Sequence, residues 1–225
     1  RYESEGFDRD DMKMPAGHLR MIEAVVSANL NTVVVLLCGS AVECPWADEV
    51  KAVLYMGLPG QAGGEAIAEL LYGRVNPSGK LAESWPFTYE DVPSSEVYGK
   101  TADALYQEGV YVGYRYYDRA GVPVRWRFGY GLSYTEFSYV DLTVNGDTVS
   151  VTVQNTGKCA GAEVVQLYIR APQDGLHRPP RELKGFQKVF LQPGGTQTVT
   201  FTLTDRSFAL WRDGWKVPGG TYTVC

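Results

Sequence analysis

The apolar residues of this chain follow two different periods, and the change between them falls near Ser133. Upstream, helical and buried-strand signals alternate. Pro15 opens an amphipathic stretch with Leu19, Ile22, Val25 and Val26 on one face, which predicts a helix ending near Asn29. Residues 33–37 are a continuous run of Val and Leu, the pattern of a parallel strand covered on both faces. Residues 50–55 predict a second such strand. Gly57-Leu58-Pro59-Gly60 reads as a turn, residues 65–71 as a helix stopped by Gly73, and Asn76-Pro77-Ser78-Gly79 as a tight turn before a short strand over 81–85. Alternation of this kind implies helices packed on a parallel sheet.

Downstream the period becomes two. Residues 139–144, 148–154, 164–169, 182–191, 196–203 and 220–224 predict short strands. Turns are expected at Asn145-Gly146-Asp147, Asn155-Thr156-Gly157 and Pro193-Gly194-Gly195. Short strands punctuated this way predict a β-sandwich of about 90 residues. Between the two halves, residues 86–127 are rich in Tyr, Gly, Pro and charge. Tyr98, Tyr106, Tyr111, Tyr114, Tyr116, Tyr117 and Trp126 are too many rings for a disordered linker. They are expected to bury area against the neighbouring domains. The fold class is therefore α/β followed by all-β. A partial α/β sandwich occupies 1–95, an ordered aromatic connector 96–132, and a β-sandwich 133–225.

Composition removes several functions. A net charge of −5 over 225 residues leaves no electrostatic footprint for nucleic acid or an anionic membrane. No apolar run reaches the roughly 18 residues of a membrane span. The chain begins at Arg1 rather than Met and carries no leader pattern, which leaves room upstream for a leader or a whole domain. The compartment stays open between cytoplasmic and secreted or periplasmic. Four cysteines without a C-x-x-C pair, and two histidines, do not suit a zinc site. Cys38 reads as a buried free thiol. The Gly57–Gly64 stretch joins a strand to a helix, where phosphate loops sit, but matches neither G-x-G-x-x-G nor the Walker pattern. Its plainer reading is a turn that lets helix and sheet approach closely. Gly131-Leu132-Ser133-Tyr134 lacks the second glycine of a nucleophile elbow.

The opening segment, Glu3-Ser4-Glu5-Gly6-Phe7-Asp8-Arg9-Asp10-Asp11, crowds carboxylates around one arginine. Alone, such a run is a solvated loop. Its company changes that reading. Glu5-Gly6-Phe7-Asp8-Arg9 is followed by Met14-Pro15, a helix, the strand Asn31-Thr32-Val33-Val34-Val35, then Gly60-Gln61-Ala62-Gly63 and Asn76-Pro77-Ser78-Gly79-Lys80-Leu81. Next come Val112-Gly113-Tyr114-Arg115-Tyr116-Tyr117-Asp118, Phe128-Gly129-Tyr130-Gly131-Leu132-Ser133-Tyr134-Thr135, and Arg181-Glu182-Leu183-Lys184-Gly185-Phe186. In this order the motifs resemble the C-terminal part of glycoside hydrolase family 3 over essentially the whole chain.

The resemblance implies the end of an α/β sandwich domain, a connector, and a fibronectin type III-like sandwich. It implies a retaining β-glycosidase, most of all a β-glucosidase, with β-xylosidase as the neighbouring type. The nucleophile would be an aspartate on a (β/α)8-type barrel, and the general acid/base would fall on Glu5. No stretch of this chain reads as that barrel, so a barrel domain or chain is the implied partner and the isolated chain is expected to be inactive. Several sandwich strands expected before the acidic loop, and a continuation after Cys225, are not in the sequence. No metal or organic cofactor is implied. Retention needs two carboxyl groups about 5–5.5 Å apart, one of them protonated when the bond breaks. An acid near its ordinary pKa of about 4.3 would be ionised at neutral pH, so burial or a second carboxylate must raise it. Gly6 would let the loop turn sharply, and Asp8 with Arg9 would be a structural pair that supports it. Glu3, two residues away, is the weaker candidate for the acid. The alternative reading is a non-catalytic carbohydrate-binding or interaction module, with the connector rings as a stacking surface.

Overall fold

The computed structural model describes residues 6–100, 102–172 and 175–225. They gather into two compact units. The first comprises the chain up to Tyr72, with Trp85–Gln107 and Pro123–Trp126; the second comprises Gly73–Ser84, Glu108–Val122 and Arg127–Cys225.

In the first unit, helix α1 (Ala16–Ala28) begins directly after Pro15, whose fixed φ suits a helix start, and buries Ile22 and Val26. Strands β1 (Val33–Leu36) and β2 (Ala52–Tyr55) pair in parallel, Val33 against Ala52 through Leu36 against Tyr55. Helix α2 (Gly63–Leu71) follows. The expectation of strands covered on both faces is corrected. Only Leu36 of β1 is buried, and Val33 is exposed, as are Met21, Val25 and Leu37 nearby in sequence. Two strands and two short helices do not supply enough surface among the described residues to cover both faces.

The core of this unit lies in the segment after β1. Cys38, Ala41, Val42, Cys44 and Trp46 are buried there. Trp85 closes on them. It is 1% exposed, donates its indole N–H to the Val42 carbonyl at 2.6 Å, and meets Tyr55 and Trp126 edge-on. Residues 81–85 do not form the expected strand. The ladder is β3 (Trp85–Pro86) against β4 (Val124–Trp126), and Pro86, which lacks an N–H, cuts it short.

The second unit is built on a two-sheet sandwich. One sheet has the order β5 (Phe137–Asn145), β6 (Thr148–Asn155), β9 (Thr196–Thr202); the other β12 (Thr223–Val224), β7 (Gly161–Arg170), β8 (Glu182–Leu191). Strict alternation along β6 and β7 turns Val149, Val151, Val153, Val165, Leu167 and Ile169 inward, where Val189, Leu191, Val199 and Leu203 meet them. A four-residue helix α4 (Asp205–Phe208) and a small hairpin, β10 (Leu210–Trp211) with β11 (Trp215–Lys216), were not legible as elements in the sequence.

Helix α3 (Tyr114–Ala120) falls inside the expected connector and is fastened to the start of β8. Asp118 takes two hydrogen bonds from Arg181 at 2.6 and 3.2 Å, Arg115 pairs with Glu182, and the Tyr114 hydroxyl accepts the Leu183 N–H. The Asn-Pro-Ser-Gly-Lys motif is a clamp. Asn76 accepts from the Ser133 hydroxyl and the Tyr134 N–H and donates to the Ala160 carbonyl; Lys80 reaches the Gly131 carbonyl and Glu163. Gly131 must lack a side chain, because a Cβ there would overlap the Gly79 carbonyl oxygen.

Removing the clamp should lose hydrogen bonds between part-buried groups, each contributing about 0.5–1.5 kcal/mol. Asn76→Ala is therefore expected to lower unfolding stability by about 1–3 kcal/mol, read as a shifted denaturant midpoint at unchanged slope. Cysteine accessibility gives a second check. Cys38 and Cys44 are buried and in no disulfide, and burial, then the neighbouring Cys38 thiol, pushes the Cys44 thiol up to about 12, so it stays protonated at pH 8. Since the thiolate is the reactive form, a thiol reagent at pH 8 should label exposed Cys159 and Cys225 at once and Cys38 and Cys44 only on denaturation.

Candidate functional site

Parallel strands present their carboxyl ends on one edge of a sheet, and open α/β sheets place ligand-facing loops at that edge. Strand β1 runs into residues 37–46 there, and β2 into residues 56–62. The acidic loop belongs to the same edge because three hydrogen bonds tie it to the first of these segments. The half-buried Arg9 donates from Nη1 to the Ser40 hydroxyl at 3.0 Å and to the Ala41 carbonyl at 3.3 Å. The Glu43 N–H donates to the Met12 carbonyl at 2.8 Å. Within the loop, Asp11 Oδ1 accepts the Lys13 N–H at 2.9 Å.

Glu5, expected as the acid/base, and Glu3, its alternative, lie outside the described residues. The three support residues lie within them. Asp8 and Arg9 have separate partners rather than one another. Arg9 serves Ser40 and Ala41, while the Tyr98 phenol lies beside the Asp8 carboxylate, whose pull on the phenolic proton raises the pKa of Tyr98. Gly6 sits in a bend, where a Cβ would meet nothing within 4 Å.

The segment that holds the loop, Gly39-Ser40-Ala41-Val42-Glu43-Cys44-Pro45-Trp46, was not singled out in the sequence. Its available signal was position: a Gly- and Pro-bounded stretch between two parallel strands. From Val42 to Trp46 buried residues alternate with less buried ones. Val42 and Cys44 are buried, while Glu43 between them is half-buried, its Oε1 accepting the Tyr89 N–H at 3.1 Å. Tyr89 opens a 3-10 turn, Tyr89–Asp91, whose start is closed by reciprocal bonds between Thr88 and Asp91.

The glycine-rich stretch after β2 is explained by packing. The ring of Pro59 sits where a Cβ of Gly63 would fall. The connector rings divide. Tyr117 is buried, Tyr114 stacks on Phe128 with Tyr168 at its edge, and Trp126 packs on Trp85. Tyr98 and Tyr106 instead are 53% and 91% exposed, so the expectation that all these rings are buried is corrected for those two. Among the described residues no three His, Cys, Asp or Glu side chains gather as metal ligands would, and no helix is long and apolar enough to cross a membrane.

Comparison with known proteins places this architecture. The sequence model of the glycosyl hydrolase family 3 C-terminal domain matches residues 1–114, and that of the fibronectin type III-like domain matches residues 163–225. Thermostable beta-glucosidase B of Acetivibrio thermocellus is 49% identical over 99% of the chain, which covers 31% of that protein. An exo-alpha-(1->6)-L-arabinopyranosidase of Bifidobacterium breve is 46% identical, with the same coverage of each. Among solved structures, a beta-glucosidase from Kluyveromyces marxianus in complex with glucose superposes with a TM-score of 0.94 at 41% identity, over 99% of this chain and 28% of that one. The chain thus spans about a third of the length of these relatives, and it belongs to glycosyl hydrolase family 3.

Proposed function

We propose that the chain is the acid/base-bearing C-terminal part of a retaining β-glycosidase, completed by a (β/α)8-type barrel that carries an aspartate nucleophile. The observation that carries this reading is the acidic loop: a carboxylate-rich segment of a family 3 chain, tied by Arg9 and Met12 to the carboxyl edge of a parallel sheet.

In this reading Glu5 first protonates the departing glycosidic oxygen while the barrel aspartate attacks the anomeric carbon. As a carboxylate it then takes a proton from the water that releases the sugar. Such an acid must stay protonated near neutral pH, and closing the loop against a barrel would desolvate it in the required direction. Arg9 fits this as a support. Its guanidinium is turned to Ser40 and Ala41, whereas a cation free to face the acid would lower its pKa. Gly6, Asp8 and Arg9 are the loop residues assigned to that support.

A β-glucoside is the first substrate to try, since the relatives named for it are the more numerous of those described above. The arabinopyranosidase shares 46% identity over the same residues, which supports placing the choice of sugar in the barrel rather than in this third of the enzyme. The alternative, a non-catalytic glycan-binding module, loses part of its stacking surface, because Tyr114, Tyr117 and Trp126 are used in packing.

The test uses the complete enzyme, this chain with its barrel. Glu5→Gln is expected to lower kcat/KM for an alkyl or weakly activated aryl β-glucoside by about 100-fold or more, and far less for a dinitrophenyl glucoside, whose departure in the first step needs no proton. Turnover within a few-fold of wild type on both substrates would refute the assignment.

A further inference from the structure

We infer that Ser40 and Glu43 are positioning residues for the acid/base loop, a role that rests on the reading of Glu5 given above. The two residues flank Ala41 and Val42 on one short segment and grip the loop at two points. Ser40 offers its hydroxyl oxygen, and Ala41 its carbonyl, to the Arg9 guanidinium. Glu43 holds the Met12 carbonyl through its own N–H. These anchors sit four and seven residues beyond Glu5, so they set where the loop leaves the sheet edge.

The grip has a buried, hydrogen-bonded base. Between the two anchors, Val42 is buried and its carbonyl receives both the Trp85 indole N–H at 2.6 Å and the Cys44 thiol at 3.3 Å. Glu43 adds a lateral brace through Oε1 to the Tyr89 N–H, linking the segment to the turn at Tyr89–Asp91. A general acid works only from within hydrogen-bond reach of the leaving oxygen, and misplacement by about 1 Å from a remote change can cost about 100-fold. Ser40 is exposed and Glu43 half-buried. Neither is needed to fill the core: the Ser40 hydroxyl serves the loop directly, and the Glu43 carboxylate serves it through the brace on Tyr89.

The complete enzyme distinguishes this from a merely structural role through leaving-group dependence. Ser40→Ala and Glu43→Ala are each expected to lower kcat/KM for a poor-leaving-group β-glucoside by about 10-fold while changing that for a dinitrophenyl glucoside by less than about 2-fold. Glu43→Gln keeps an oxygen for the Tyr89 N–H and should restore most of the loss. Ser40→Ala combined with Arg9→Lys should lose less than the product of the two single effects, since both act on one contact. Retained dinitrophenyl turnover reports that each variant is folded. Equal losses on both substrates, or none on either, would overturn the positioning role. If Glu5→Gln shows leaving-group dependence and these variants do not, only this inference falls. If Glu5→Gln shows none, the assignment of Glu5 falls and takes the positioning role with it.

Discussion

The second unit depends on one fully buried polar side chain, Asn155, at the end of β6. Every hydrogen-bonding position of its amide is used. The oxygen accepts from the Thr135 hydroxyl at 2.7 Å and the Gly157 N–H at 3.1 Å; the nitrogen donates to the carbonyls of Cys159 at 2.9 Å and Leu191 at 3.0 Å. Leu191 ends β8 in the opposite sheet, so one amide ties the two layers together. A buried amide is costly unless satisfied, and satisfying this one dictates the paths of residues 133–135 and 157–159. Asn76 grips the same corner from outside, through Ser133, Tyr134 and Ala160. The motifs that looked most distinctive in the sequence, around Asn76 to Lys80 and Phe128 to Thr135, are two halves of this one joint. Their specificity is structural before it is functional.

The first unit is organised differently. Its fixed point is Trp85, which gathers Tyr55, Trp126 and the Val42 carbonyl around one ring system. The buried segment it holds then presents Ser40, Ala41 and Glu43 to the acidic loop. Rigidity passes outward from an aromatic core, through backbone hydrogen bonds, to a polar loop that by its composition would be solvated and mobile. That order would suit the proposed general acid, which needs a precise place but cannot itself belong to the core. Arg9 makes the side-chain link in that order. A guanidinium offers several donors in a fixed fork, and here two acceptors on the sheet edge meet it.

Much of this was legible from residue order alone. The strict alternation of Val149, Val151 and Val153 declares a half-buried strand, and β6 has that burial pattern. Pro15 announces the start of α1, and residues 182–191 coincide with β8. Local rules fail where a long-range partner decides. The stretch 81–85 has strand composition, yet Leu81 exchanges backbone bonds with Gly129 and Tyr130, and only Trp85 and Pro86 enter a ladder. Asp8 and Arg9 are adjacent and opposite in charge, yet each is drawn to a residue more than 30 positions away, as Ser40 is to Arg9. The strand at 33–37 has the sequence of full burial, but burial depends on what surrounds it, and Val33 stays exposed among the described residues.

The sequence by itself determined the two periods, the family, and the carboxylate-rich segment proposed to bear the chemistry. These are properties of neighbouring residues and of motif order, and they need no third dimension. Only the tertiary structure decided which residues hold the acidic loop. Ser40 and Glu43 carry no local signature, and their importance comes from bonds to Arg9, Met12 and Tyr89 that chain folding alone brings within reach. A hydrogen bond over such sequence separations depends on where the core places its ends, and here the core is set by Trp85, more than 40 residues from the segment it anchors.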